Sequence, residues 1–396
     1  MDSITCLSPS PSVMKIPGCP YSIQLLASSI KSHTYVIREH DHYGEYPNIY
    51  AKVYYGSNHV PTAIILTDSG TGLNSDDGWN IATFLSTTIN PHHNAPYTVL
   101  TTHCHYDHIG GIERLLNSGA KVTVLASSHD MSFVTPYENL QKHSLCEKLG
   151  LQAPVYDARW IEDGQSITFR DTTNRSSNIS SITVIHTPGH TPDSLSWYDH
   201  ETNALCVGDM FYEKESDQTK SGSNGHWPSE PPQPVIFNEY SNIIDWNANM
   251  HRLLDFVRSE NRRLANGSTN VGKSSMKQDG LGESTVLASF EDGEDDWTVV
   301  TTSQRRVVLC AGHVTVAADA EFALLDMLSF MLRVQLDQVP RTKVCDPAGK
   351  SDLWLWDDCQ KSNKSHRPDS GNAQTSYQYS VRAPWQVIHG TSKRPP

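Results

Sequence analysis

Four side chains able to hold a metal ion, His103, His105, Asp107 and His108, fall within six residues of the chain. An apolar strand pattern runs up to them and a helix pattern follows, which places them on a strand-to-helix loop. His103 and His105, two apart in extended chain, project to the same side. Asp107 and His108 come next, as the loop turns into the helix. Buried together, these groups cannot satisfy one another by hydrogen bonds, and leaving them unpaired is costly. Imidazole and carboxylate donors in one place suit zinc, iron or manganese. Gly110 and Gly111 follow at once and let the backbone pass close to the site.

Three later residues complete a donor set. His190, Asp209 and His313 each stand at the end of a strand pattern, and each follows a glycine that permits a sharp turn: Gly189, Gly208 and Gly312. Seven donors are too many for one tetrahedral ion and fit two ions that share a carboxylate.

In this order, His103-x-His105-x-Asp107-His108, Gly189-His190, Gly208-Asp209 and Gly312-His313 resemble the metallo-β-lactamase superfamily over about residues 60 to 335. Asp68-Ser69-Gly70-Thr71-Gly72 looks like the family's early Asp-x-Gly turn. The resemblance implies an α/β fold, the αββα sandwich of two mixed β-sheets flanked by helices, with the site at one edge between the sheets. It also implies that His103, His105 and His190 hold one ion, that Asp107, His108 and His313 hold the other, and that Asp209 bridges them. Asp68 would orient a ligand histidine from outside the set, although read alone it is also a strand-end turn residue. The two divalent ions are expected to be Zn2+, with Fe or Mn fitting the same donors.

Carrying both His108 and Asp209 is similar to the glyoxalase II and thioesterase branches, whereas zinc β-lactamases usually place Cys or Ser in this part of the site. Diiron relatives carry Glu where this chain has His105. The segment Phe237 to Trp246 is similar to acyl-CoA thioesterase-like members. The expected chemistry is hydrolysis of a thioester, acyl-CoA-like or glutathione-like. A water between two divalent ions becomes largely hydroxide near neutral pH and attacks a metal-polarised carbonyl. Asp107 and Asp209 are the candidate catalytic carboxylates, Asp107 orienting the hydroxide as well as ligating. A lactonase or other ester hydrolase, a phosphodiesterase or nuclease, and a catalytically inactive, metal-stabilised binding protein are the alternatives.

The elements that must position these groups alternate along the chain. Strands are expected at 62–69, 97–103 and 121–127, with helices at 77–89 and 110–118 between them. A second run of strands follows at 181–187, 194–198 and 204–208. A helix at 245–264, a strand at 306–311 and a helix at 322–339 close the pattern. The expected organisation is an aromatic, extended segment at 1–60 packing on the core, a catalytic domain at 61–339, and a tail or strap at 340–396. Residues 265–296, polar and then acidic, read as a disordered insertion.

Composition narrows the partners. The chain has 396 residues and a formal charge of −13, which disfavours a nucleic acid, since phosphate binding needs a basic stripe. The substrate is expected to be a small molecule. No apolar run approaches the roughly 18 residues of a membrane helix, and no signal peptide is seen. The eight cysteines form no C-x-x-C pair, so reduced thiols and a cytoplasmic location are expected. Cys104 alternates with two ligands and should point away from the metals. Tyr106 and Trp227 are candidates for the substrate pocket. Glu39-His40-Asp41-His42 imitates a metal site but reads as a solvated loop. His186 reads as structural, and His92, His93 and His226 as surface residues.

Overall fold

The computed structural model describes residues 13–29, 32–56, 59–170, 178–214, 234–271, 306–344, 353–358 and 379–390. Among these residues the first sheet has eight strands, laid side by side in chain order from Met14–Lys15 to Ala158–Ile161. Its ladder is antiparallel through Asn48–Tyr55 and Pro61–Thr67, then parallel through Tyr97–Leu100, Val122–Ser127 and Ala158–Ile161. Parallel neighbours need crossovers, and helices Ile81–Thr88 and Ile112–Leu116 supply them. The second sheet has six strands, in the order Ala318–Asp319, Val308–Cys310, Ala204–Cys206, Leu195–Asp199, Asn178–His186 and Ser166–Arg170.

Side-chain alternation sets the layers. Along Asn48–Tyr55, Ile49, Ala51 and Val53 join the apolar cluster with Phe84, Leu85 and Ile112 of the helices, while Tyr50 and Tyr54 face Val184, Trp197 and Cys206 of the second sheet. Lys52, on that inner face, pairs with Asp199 at 2.5 Å and Glu201 at 2.8 Å, and so ties the two sheets together. The far side of the second sheet is covered by helices Ile243–Val271 and Ala320–Gln335, through Trp246, Leu253, Leu324 and Met327. Helix, sheet, sheet and helix are therefore stacked in the expected αββα order.

Boundaries differ from the sequence reading where local chemistry overrides the apolar pattern. The first helix starts at Ile81 rather than Asp77, because Asn80 forms a capping box with Thr83. The division expected at residue 60 falls between two hydrogen-bonded strands of one sheet. The helix expected to end at 264 runs on to Val271, into the segment read as an insertion, and residues 272–296 lie outside the described residues. The segment read as a tail builds a third sheet, in which Arg341–Val344, Leu353–Asp357 and Ser380–Pro384 join Val235–Ile236. Trp356 and Trp385 from it are fully buried against the second helical layer. Among the described residues, no helix is long and apolar enough to cross a membrane.

Candidate metal centre

The loop after strand Tyr97–Leu100 is clamped from two sides. Thr101 N–H donates to Leu125 O of the neighbouring strand, and Ser69 N–H donates to His108 O. Gly111 makes this approach possible, since a Cβ there would strike the Ser69 carbonyl. His105 is the N-cap of the short helix Tyr106–Ile109, which carries Asp107 and His108 on its first turn. Asp209 and His313 arrive from the second sheet. Strands Ala204–Cys206 and Val308–Cys310 run parallel with Cys206 opposite Cys310, and each ligand candidate stands three residues further on.

These seven side chains, all buried, gather into two adjacent groups whose donor atoms could each hold an ion: His103, His105 and His190, and Asp107, His108, Asp209 and His313. In the first, His105 Nδ1 lies 2.9 Å from His103 Nε2 and 3.1 Å from His190 Nε2. In the second, His108 Nε2 is 3.3 Å from Asp107 Oδ2 and from Asp209 Oδ1, and His313 Nε2 is 3.2 Å from Asp107 Oδ2 and from Asp209 Oδ2. Metal–nitrogen bonds of about 2.0–2.1 Å at tetrahedral angles put ligand atoms about 3.3 Å apart. The observed spacings are close to that edge. His108 Nε2 and Asp209 Oδ1 face each other without the alignment of a hydrogen bond, as atoms aimed at a common third would. The rings of His103 and His108, 4.2 Å apart, join the groups.

The outward nitrogens are held in the tautomer that a metal needs. His108 Nδ1 donates to Asp68 Oδ2 at 2.8 Å, and His313 Nδ1 donates to Glu45 O at 2.7 Å, which leaves both Nε2 atoms facing inward. Asp68 is itself fixed by Thr102 N–H at 2.7 Å and the Thr102 hydroxyl at 2.8 Å. His103 Nδ1 contacts that same hydroxyl at 3.1 Å.

Electrostatics divides the groups. Burial, followed by the neighbouring rings, holds His103 well below its ordinary value, and burial with His190 brings His105 down to about 3, so the first group offers neutral imidazoles. In the second, burial opposes charge but the carboxylates win. Asp107, Asp209 and Asp68 raise His108 well above its usual range, and Asp209 with Asp107 push His313 up to about 10. Asp107 and Asp209 are held well below theirs by His108 and His313, again against burial. Without an ion, protons on His108 and His313 thus balance two buried carboxylates, the role that a divalent cation takes over when bound. This donor set fits two such ions.

Other expectations fare differently. Tyr106 is buried, its hydroxyl donating to Glu45 Oε1 at 3.0 Å and its ring edge-on to Tyr43. Trp227 and His226 lie outside the described residues. Glu39-His40-Asp41-His42 is not a solvated loop: Glu39 and Asp41 are buried. Glu39 accepts from Tyr21 OH and from Thr71 N–H, bracing the loop that follows Asp68. Asp41 accepts from the backbone N–H groups of Tyr43, Glu45 and Tyr46, and so folds the 41–46 turn over the second group. His186 braces a strand end through Ile161 O, while His92 and His93 sit in a surface turn.

Glu45 escaped the sequence reading. Its carbonyl orients His313, and burial followed by the charge of Asp107 pushes its carboxyl up to about 7. No residue spacing announced it; only the Asp41-to-Gly44 turn chemistry hinted that this stretch was ordered. On the other flank Asn238 Nδ2 lies 3.3 Å from His105 Nε2, and the Ser241 hydroxyl donates to His190 O at 2.6 Å. The Tyr212 ring packs on His313.

A family model described as the metallo-beta-lactamase superfamily matches residues 60–264. The protein avaE of Aspergillus versicolor, provisionally named a transcription factor, is 28% identical over 205 residues, 48% of this chain and 56% of that protein. The acyl-coenzyme A thioesterase MBLAC2 of Gallus gallus is 25% identical over 175 residues, 41% of this chain and 52% of that protein. The matched part spans about half the length of these curated relatives. Among solved structures, the metallo-beta-lactamase family protein TTHA1429 from Thermus thermophilus shares 16% identity, covering 77% of this chain and 82% of that chain at a TM-score of 0.45. Matched by its family model over more than half of its residues, the chain belongs to the metallo-β-lactamase superfamily.

Proposed function

We propose that this chain is a metal-dependent hydrolase of a small-molecule thioester, acyl-CoA-like or glutathione-like. The observation that carries the reading is the pair of buried donor groups lying side by side, with Asp209 reaching both His108 and His313 through its two oxygens. His103, His105 and His190 would hold one divalent ion, and Asp107, His108, Asp209 and His313 the other. Such ions polarise a carbonyl and lower the pKa of a bound water to about 7.

The chain's own groups set the rest. Asp107, on the first turn of its helix and held low by His108 and His313, stays an acceptor able to orient water. Asp68 and the Glu45 carbonyl keep the lone pairs of His108 and His313 pointing inward. The segment beginning at Phe237, similar in sequence to thioesterase-like members, supports the thioester assignment by its position, since Asn238 and Ser241 touch His105 and His190. The name of the Gallus gallus relative supports it too. A thiolate is also a good leaving group that needs little acid assistance.

The test is a screen of the purified full chain against matched thioesters and lactones, a β-lactam and a phosphodiester, with a chelator and with Zn, Fe or Mn restored. Thioester turnover that the chelator removes and metal restores is expected. Lactone kcat/KM higher by tenfold or more, about 1.4 kcal/mol in transition-state binding, overturns the thioester reading. Cleavage of the phosphodiester alone makes it a nuclease. No turnover at full metal loading leaves a metal-stabilised binding protein.

A further inference from the structure

We propose that a cavity on the reverse side of the His103–His105 loop binds a small organic cation, with the Asp193 carboxylate as counter-charge and Trp160 at the mouth. The cavity measures about 60 Å³ and lies between Cys104 and Asp193 on one side and the ends of strands Val122–Ser127 and Ala158–Ile161 on the other. Cys104, alternating with the two histidines, turns its side chain into this space rather than toward the metal centre.

Asp193 is the reason to expect a ligand. It is only 7% exposed, and its Oδ1 has no hydrogen-bond partner. The Thr191 hydroxyl and Cys104 face the carboxyl group, yet among the described residues no Lys, Arg or His pairs with it. An acceptor buried in this way costs free energy until a donor meets it, and a carboxylate costs more until a charge does. The remaining wall is largely apolar or aromatic, with Val134, Leu140, Tyr156 and Trp160 around the space; Thr101 and Thr135 also line it, their hydroxyls donating to the backbone carbonyls of Leu125 and Met131. Trp160 is 36% exposed, so the cavity has an aromatic edge in contact with solvent.

Size and chemistry together select the occupant. One water needs about 10–15 Å³, so the cavity admits several waters or a group of a few heavy atoms. Water or a neutral amide could donate to Oδ1 but would leave the charge uncompensated. An alkylammonium head supplies both donor and charge, and aromatic faces attract such cations. Because Cys104 stands between His103 and His105, an occupant touches the loop that carries two candidate ligands.

The test uses the full-length, metal-loaded protein and titrates methylammonium and n-butylammonium by calorimetry and by NMR. Acetamide, n-butanol and potassium ions are the comparators. Saturable alkylammonium binding is expected, at least tenfold tighter than any comparator and weakened at least tenfold in Asp193→Asn. No saturable binding to the unmodified protein, comparators that bind as tightly, or a folded Asp193→Asn that binds unchanged would each overturn the proposal. If Asp193→Asn does not fold, Trp160→Leu decides, since that side chain reaches solvent: weaker binding supports the site and unchanged binding overturns it.

Discussion

Replacing Asp68 by Asn keeps the shape of the side chain and changes what it offers. Asp68 accepts three hydrogen bonds, from Thr102 N–H, the Thr102 hydroxyl and His108 Nδ1. An asparagine can keep its oxygen toward Thr102 N–H, and the hydroxyl can turn to accept. His108 has no such freedom, because the new NH2 would meet its Nδ1–H donor to donor. The ring relieves the conflict by giving up the Nδ1 proton and keeping the one on Nε2, the atom that faces Asp107 and Asp209 and that an ion would need bare. Second-group metal affinity should therefore fall by about 10–100-fold, the usual cost of losing an outer partner of a metal-binding histidine, or about 1.4–2.7 kcal/mol. The first group touches Asp68 only indirectly, through Thr102 and through the packing of the His103 ring on His108, and should keep its affinity within a few-fold. Chelator competition fitted to two sites reads both affinities, and thermal denaturation shows whether the variant is folded. The reasoning fails if a folded variant keeps its second affinity within threefold, or loses both affinities equally.

Metal loading at pH 7 should release about two protons per second-group ion, from His108 and His313, read by calorimetry in buffers of different ionisation enthalpy; release of none would refute the assigned protonation. His313, raised from an ordinary 6.5 to about 10, contributes stability to the ion-free protein that is fully present below pH 6.5 and lost as pH rises through 10. Urea denaturation of ion-free protein should show that loss, and His313→Gln should flatten it. Lys52→Ala leaves Asp199 and Glu201 without their buried cation and should cost about 3–5 kcal/mol; a change below 1 kcal/mol in denaturant unfolding would show the pair to be dispensable. Deleting residues 272–296, polar and then acidic in composition, should leave the melting temperature and hydrolytic turnover nearly unchanged, and a poorly folding deletion would contradict this.

The donors were legible because their side-chain types are rare in such density and because each later one follows a glycine at a strand end. The separate strands and helices were legible through their apolar periodicity, and their stacking into a sandwich through the family resemblance. What escaped depends on contacts distant in sequence. Asp41 and Glu45 look like loop acids until the 41–46 turn is folded against His313, 268 positions away. The third sheet was hidden because its strands Arg341–Val344 and Leu353–Asp357 are short, and because Ser380–Pro384 finds its other partner at Val235–Ile236. The three short helices between Met131 and Leu149 gave too little periodicity to be seen.

The parallel pairing of Ala204–Cys206 with Val308–Cys310 also bears on the order of assembly during synthesis. All three members of the first group have left the ribosome once residue 190 has emerged, but the second group lacks a member until His313 does. A nascent chain or fragment ending before strand Val308–Cys310 therefore has donors for at most one complete group. Capture of the second ion then reports that the two distant strands have met, so the metal stoichiometry of truncated chains becomes a record of how far folding has advanced.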